Sequence, residues 1–413
     1  MKKGIVGVLL LYLMLFDVSN RAWAQSDDSD LYIFGFSQVL LNSKSIEFEI
    51  FPGNGIPSPL KMNSKANSFA LHQVNLFFQK AINDQTTFFL NIEASGSYSS
   101  KTPSGNLEIP EGWISFKLND HLELKTGLLL PRFNNLTEIN NRLPLLPYLI
   151  RPLMYESLLS NLVSSEDYRP KNAYIQLTGI RDITTNYSFD YAFYIGNAED
   201  SFLSSVQAGD VEDTEEAATL YLGENLNTAL LYGSRFGIEN TYQTFKVGIS
   251  LTYDEENRKK PINSFFRLPA LTTPIMGEIP RYRVGLDFSF SIRNFSFESE
   301  YMGVFHDHRK VREIPAFRNA NLNKKFYYTN LTYTFENDLY VFGFFSRNRD
   351  QTYEFVAPGS PSNAGLSALS GGGGWRINDV TVLKIQYLTS LARQNNYLDY
   401  SIRFLTIGIS TIF

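Results

Sequence analysis

Segments in which apolar and polar residues alternate recur along almost the whole chain, and they constrain its fold more than any other feature. Between Arg281 and Arg293, apolar residues occupy every second position, and polar residues or glycine lie between them. A period of two indicates a β-strand with one apolar face, whereas a helix has a period of 3.6. The pattern predicts sixteen strands, near 31–40, 68–80, 86–96, 107–118, 121–130, 172–180, 186–196, 228–239, 242–254, 281–293, 294–304, 323–336, 338–348, 365–376, 380–391 and 399–413.

Short and long links alternate between these segments. The long links include 41–67 and 131–171. Strict alternation of link length is expected when antiparallel strands close into a barrel with short turns at one end and long loops at the other. The short links carry residues that favour turns, namely Asn83-Asp84, Asn119-Asp120, Arg181-Asp182, Asn240-Thr241, Asn294, Asn337-Asp338 and Asn378-Asp379.

The composition favours a membrane barrel over a soluble sheet. Aromatic residues make up 15% of the chain, and no apolar stretch after residue 24 is long enough for a transmembrane helix. A closed barrel satisfies every backbone amide in hydrocarbon and carries aromatic girdles at both interfaces. We therefore predict an all-β fold, a transmembrane antiparallel β-barrel of about 16 strands with short periplasmic turns and long extracellular loops. The alternative is an exported β-sandwich, whose apolar faces would pack against each other.

The N-terminal residues predict export. Lys2 and Lys3 precede an uncharged apolar run, and Ala22-Trp23-Ala24 supplies the small residues of a cleavage site. We expect a signal peptide at 1–24, although an N-terminal membrane anchor is the alternative, and a single barrel domain at 25–413. The predicted location is the bacterial outer membrane. Without the signal peptide the formal charge changes from −5 to −7, because three cations and one carboxylate are removed, and this argues against nucleic acid as a partner.

The link 131–171 holds many proline and apolar residues, which a fully solvated loop has little reason to contain. One interpretation is a constriction, in which the link folds into the barrel and brings charge close to the pore. The alternatives are an apolar extracellular lid and a contact between subunits. In the first interpretation the charged residues that project into the pore are Arg132, Arg142, Arg151 and Glu156.

Charged residues on the predicted lumen faces are the other candidates for a functional site. Rings of charged side chains set ion preference in pores. The alternative is a lining in which neighbouring charges of opposite sign cancel. The candidates are Arg235, Lys246, Arg281, Arg283, Asp287, Arg293, Glu298, Glu300 and Lys384.

Motifs for catalysis and for cofactor binding are weak in this sequence. His306-Asp307-His308 lies in a long link without a further ligand cluster, so we predict no metal site. Gly371 to Gly374 is not followed by a helix, and such glycines are more typical of a strand that bends or that a side chain approaches closely. We therefore predict neither a catalytic site nor a cofactor.

Residues 122–133, Leu-Glu-Leu-Lys-Thr-Gly-Leu-Leu-Leu-Pro-Arg-Phe, resemble a motif of the phosphate-selective porin O and P family and its Bacteroidetes relatives. Tyr194-Ile195-Gly196-Asn197 is also similar. The resemblance implies a sixteen-stranded porin, often trimeric, that conducts small solutes or anions. The chain departs from the family at Asn134-Asn135, and it lacks a dense arginine ladder, so the resemblance does not extend to phosphate specificity.

The leading hypothesis is an outer-membrane porin, not an enzyme, through which small hydrophilic solutes or ions diffuse. The expected partners are outer-membrane lipid, the permeating solute, and a homotrimer or other envelope proteins. The alternative is a surface adhesin or an assembly component of a larger envelope complex. Ionic current through a lipid bilayer would distinguish the two, since only the porin conducts.

Overall fold

A closed antiparallel barrel of sixteen strands confirms the predicted fold class. Each strand pairs with its neighbours in sequence, and β1 pairs with β16 to close the ring. This computed structural model describes residues 31–50, 60–95, 106–137, 142–155, 172–198, 230–242, 244–258, 276–307, 309–310, 323–350, 365–394 and 398–413. The strands are β1 Leu31–Ile50, β2 Leu60–Asn83, β3 Thr86–Ser95, β4 Asn106–Asn119, β5 Leu122–Leu129, β6 Asn172–Thr184, β7 Tyr187–Asn197, β8 Leu230–Asn240, β9 Phe245–Arg258, β10 Met276–Ile292, β11 Phe295–His306, β12 Lys324–Thr334, β13 Leu339–Asp350, β14 Gly365–Asn378, β15 Thr381–Gln394 and β16 Leu398–Ile412.

Alternate residues of each strand lie on opposite faces of the wall, because successive Cβ atoms point in opposite directions. In β10, Tyr282 and Leu286 are 47% and 48% exposed on the outer face. Arg281 and Arg283, on the inner face, are 0% and 1% exposed. An apolar exterior around a polar interior is the reverse of a soluble protein and suits a barrel in lipid. In the part of the chain that the structure describes, no helix is long and apolar enough to cross a bilayer.

Short turns join the strands at one end of the barrel, which we call the turn end. Asparagine explains several of these turns, because its side chain accepts a hydrogen bond from a backbone amide two residues later. Asn83 accepts from Gln85 at 2.9 Å, and Asn119 accepts from His121 at 2.9 Å. The sequence prediction was wrong for Arg181-Asp182, because β6 continues to Thr184.

The predicted long link at 41–67 was also wrong, since β1 continues to Ile50 and β2 begins at Leu60. The outer part of β1 pairs with both β2 and β16, and Glu47 forms an ion pair with Arg403 at 3.6 Å. These strands are polar beyond the apolar band. Outside lipid an alternating apolar face is not needed, so the periodicity of the sequence does not reveal them.

Candidate functional site

An internal segment of the link after β5 lies against the inner face of the barrel. We call residues 131–137 and 142–155 the inner segment. It includes two short 3-10 turns, Leu143–Leu145 and Leu153–Tyr155. Its apolar side chains pack with inner-face residues of β11 to β16 in one buried cluster. The cluster combines Phe133, Leu136, Leu143, Leu146, Tyr148, Ile150, Leu153, Met154 and Tyr155 of the segment with Met302, Val304, Phe326, Tyr328, Tyr340, Phe342, Phe344, Leu366, Ala368, Leu388, Ile402 and Phe404 of the wall.

Two glycines make room for close contacts near the start of the inner segment. Gly127 has a φ of 133°, a region that L side chains rarely adopt, and an added Cβ would lie 2.8 Å from the Cα of Trp113. Gly285 makes room on the opposite wall, because a Cβ there would lie 2.7 Å from the Phe133 ring. The Asn134 amide then donates to Ser250 of β9 at 3.0 Å. These contacts fix the start of the inner segment across the barrel.

Glu300 of β11 holds both ends of the inner segment. Its Oε1 accepts hydrogen bonds from the amides of Asn135 and Leu136 at 2.9 and 2.7 Å. Its Oε2 accepts a hydrogen bond from the hydroxyl of Tyr155 at 2.7 Å. Hydrogen bonds to a carboxylate are stronger than those between neutral groups. Glu300 therefore lies on the inner face but is covered by the segment, and does not line an open pore.

Lys384 and Gln386 of β15 hold the middle of the segment. The Lys384 ammonium donates to the carbonyl oxygens of Leu143, Pro144 and Leu146 at 3.4, 2.8 and 2.6 Å. Gln386 Oε1 accepts from the amides of Leu149 and Ile150 at 2.6 and 2.7 Å. Lys384 was predicted to line the pore, and this interpretation needs correction because the segment covers it completely.

The glycines of β14 let aromatic rings approach the wall closely beneath the segment. Gly372 faces Phe342, and an added Cβ would lie 2.8 Å from the ring. Gly374 faces Tyr340 in the same way, and Tyr340 in turn donates to the carbonyl of Pro147 at 2.9 Å. The run Gly371 to Gly374 therefore lies in a strand that side chains approach closely, as the sequence predicted.

Buried ion pairs occupy the inner face of β7 to β10. Asp254 accepts from Arg281 at 2.8 and 2.6 Å and from Arg283 at 3.2 Å. Arg235 forms a two-bond pair with Asp287 and approaches Asp190 at 3.6 Å. All six groups are buried. The cations predicted on this wall are therefore largely neutralised by neighbouring carboxylates, which was the alternative reading of the sequence.

Partly exposed cations lie along the inner wall of β3 to β6, which we call the strip. Lys125 and Arg132 are 24% and 19% exposed, and their contacts to Glu123 and Asp190 are long, at 3.6 and 3.8 Å. Lys125 lies over the Trp113 ring at 4.7 Å, and Arg142 of the inner segment lies over Phe77 at 5.9 Å. Two of these cations thus lie over the ends of a row of rings, because Phe89 contacts both Phe77 and Trp113.

A cavity of about 500 Å³ opens at the turn end of this strip. Its charged lining residues include Lys117, Asp120, Glu123, Lys125 and Arg132. Lys117 forms a hydrogen-bonded ion pair with Asp120 at 2.8 Å. That bond lowers the pKa of the Asp120 carboxyl, which keeps it ionised opposite Lys117. Lys125 and Arg132 are the other two cations that line the cavity.

The remaining candidates fall in different places. Arg293 was predicted on the lumen face, but it is exposed in the turn after β10 with a φ of 50°, because the strand ends at Ile292. Lys246 pairs with Glu239 at 3.6 Å, and Glu298 is half-buried on the inner face of β11. Arg151 is buried within the inner segment. Glu156 lies outside the residues that the structure describes.

Four residues that organise the site were not among the predicted candidates: Asp190, Gln176, Asp254 and Gln386. Each lies at a polar position of an alternating strand, which places it on the inner face. Gln176 accepts from the Arg132 amide at 2.9 Å, and Asp254 and Gln386 bind groups far away in sequence. Alternation could identify their face, but no local signal identifies their partners.

Similar solved structures are outer-membrane barrels. The outer membrane channel DcaP of Acinetobacter baumannii has a TM-score of 0.54 and 8% identity, covering 95% of this chain and 99% of that one. The anion-selective porin from Comamonas acidovorans has a TM-score of 0.53 and 9% identity, covering 94% and 100%. OmpT of Vibrio cholerae, in a trimer form, has a TM-score of 0.52 and 8% identity, covering 94% and 100%.

At these identities the likeness shows the fold and not a shared solute. The fold defines the class: the chain is a transmembrane β-barrel of the bacterial outer membrane with the architecture of porins. Comparison with protein-family profiles finds no match, and neither does comparison with curated sequences.

Proposed function

We propose that this barrel is a non-enzymatic channel for small hydrophilic solutes or ions, and that the inner segment narrows it. The observation that carries the proposal is the position of that segment, which polar side chains of the wall hold inside a closed barrel. A segment held in this way restricts the lumen while the barrel still crosses the membrane. It corresponds to the first of the three interpretations of the link 131–171.

The permeation path in this proposal follows the strip along β3 to β6. The opposite wall is covered by the inner segment, and the inner face of β7 to β10 holds neutralised ion pairs. Along the strip, Lys125, Arg132 and Arg142 keep partial exposure. Cations that line a narrow path favour anions, because charge acts strongly in a confined channel. Small anions are therefore the proposed solute class.

Two further observations support this choice. Residues 122–133 resemble the phosphate-selective porin O and P family, and one similar structure is described as an anion-selective porin. The specific proposal is a channel for anions in general, since the strip lacks a dense arginine ladder. A homotrimer is also proposed, because one similar barrel is described in a trimer form.

The test is conductance of the purified protein in planar lipid bilayers. Stepwise currents, with a reversal potential in a salt gradient that indicates anion preference, are the expected result. A folded barrel that inserts but conducts no ions would overturn the proposal and favour the adhesin or assembly component.

Charge variants locate the path. Lys125→Gln and Arg132→Gln together are expected to lower the anion-to-cation permeability ratio by roughly two- to threefold, because two partly exposed cations of the strip are lost. Arg403→Gln is the matched control, since Arg403 is half exposed and pairs with Glu47 on the polar extension of β1. Equal changes for the control and the double variant would contradict this path.

A further inference from the structure

Lys384 has an unusual environment for a lysine in a barrel wall. It is 1% exposed, and its three recorded hydrogen bonds all go to backbone carbonyls of one short turn. An ammonium has three donors and no acceptor, so these bonds use its full capacity. A buried charge is costly unless such partners compensate it. The three donors of Lys384 on the wall thus match three carbonyl acceptors of the turn.

Lys384 supplies the hydrogen-bond donor for the carbonyls of the turn Leu143–Leu145 that face the wall. Within the turn, the amides of Leu145 and Leu146 donate to Arg142 and Leu143 at 2.9 and 3.0 Å. The carbonyls of Pro144 and Leu146 instead point to the wall and accept from the lysine. Removing the ammonium would leave these buried carbonyls without that donor, which is unfavourable.

The same turn positions a cation of the proposed path. Arg142 directly precedes it and lies over Phe77 of β2, which is separated from β16 of the apolar cluster by β1 alone. A shift of the turn would therefore move Arg142 and widen the passage. Gln386, two residues after Lys384 on the same face, holds Leu149 and Ile150 and would keep the later part of the segment in place.

We propose that Lys384 is a positioning residue that clamps the Leu143–Leu146 turn to the wall and thereby sets the width of the channel. This inference rests on the proposed function, because it assumes that the inner segment restricts a conducting pore. The alternative is that Lys384 contributes only to stability, or only a charge to the interior. The experiment must distinguish these roles.

The test combines single-channel recording with a cysteine reporter, which the chain permits because it has no cysteine. Ala368→Cys places a thiol in the buried cluster beneath the segment. In Lys384→Met, which has no donor, conductance should rise roughly twofold with a broader distribution. The thiol at 368 should then react with a water-soluble maleimide, while it stays protected when Lys384 is present. Lys384→Arg, which keeps cation and donors, should restore both values.

Controls separate the outcomes. Thr87→Cys lines the cavity at the turn end and should react in every background. If Lys384→Met does not fold, Lys384→Gln, which keeps donors without the charge, should give smaller changes in the same direction. Wild-type conductance and a protected thiol in a folded Lys384→Met barrel would overturn the inference. A wild-type barrel that is silent in bilayers would overturn the proposed function instead, and the thiol would still report on the clamp.

Discussion

Two parts of the inner wall differ in how their buried side chains are compensated. From β7 to β10 the interior is polar, and arginines are satisfied by carboxylates on neighbouring strands. From β11 to β16 much of the interior is apolar and is covered by the inner segment. A polar wall can face water, whereas an apolar wall in a water-filled lumen needs a protein cover. The position of the inner segment thus follows from the composition of the wall.

Deletion of the inner segment should have the largest effect, and it should change the conductance of the channel. Replacing residues 134–155 by a short Gly-Ser linker should raise conductance several-fold, on the order of the change in open area. It should also expose the apolar wall, which binding of a hydrophobic fluorescent dye would detect after reconstitution. Unchanged conductance in a folded barrel would mean that the segment does not restrict the path.

The stability of the polar part, β7 to β10, should be sensitive to loss of a single carboxylate. In Asp254→Asn, Arg281 and Arg283 would lose their buried anion, and breaking such a pair costs about 3–5 kcal/mol. Urea unfolding in detergent micelles would measure this loss. The reversal potential should also shift toward anions, because one negative charge is removed from the wall.

A control replaces Asp254 and both arginines by apolar residues. The triple variant Asp254→Leu, Arg281→Met and Arg283→Met should be less destabilised than Asp254→Asn, because no buried charge is left without a counter-ion. If the triple variant is the less stable of the two, the ion pairs are not the main contribution of these residues.

The glycines of β14 that lie against aromatic rings should be sensitive to an added methyl group. In Gly374→Ala the new methyl group would collide with the Tyr340 ring, and the strain should cost about 1–3 kcal/mol. Gly343→Ala is a matched control on β13, since its Cβ would lie 3.8 Å from the Ser370 carbonyl. Similar unfolding curves for both variants would show that the Tyr340 ring adapts without cost.

The smallest effect is expected for one hydroxyl group. Tyr155→Phe removes the hydrogen bond to Glu300 and should cost about 1 kcal/mol. Tyr148→Phe is the control, because that hydroxyl is buried without a hydrogen-bond partner among the residues that the structure covers. Its removal should be neutral or stabilising in the same unfolding assay. The difference between the two variants in the free energy of unfolding gives the contribution of the hydrogen bond, apart from the effect of removing an oxygen atom.

The sequence predicted what depends on local periodicity. The alternation in β9 and β10 identified the strands and their faces, since lipid requires an apolar residue at every second position. The extension of β1 to Ile50 was missed because it lies beyond the apolar band. The turn at Arg293 was placed on the wall because an alternating pattern does not mark where a strand ends.

The site was less predictable because its contacts are long-range. The interior position of Lys384 followed from alternation, but its partners lie about 240 residues away in sequence, and no pattern links them. The apolar residues of the inner segment indicated burial, yet the surface that buries them consists of single residues from several strands. The charged residues in the sequence suggested a pore lining. Only the ion pairs in the structure showed which of these charges are neutralised.

The close approach of aromatic rings to Gly372 and Gly374 has a consequence for how the sequences of related barrels can vary. Strand number and tilt fix the diameter of a sixteen-stranded wall. Space inside the barrel is therefore gained only where the side chains on the inner face are small. A glycine beneath an aromatic ring provides this space where the inner segment crosses the barrel. We expect related chains to change both together: where the glycines are replaced by larger residues, the crossing segment should be shorter or bear smaller side chains.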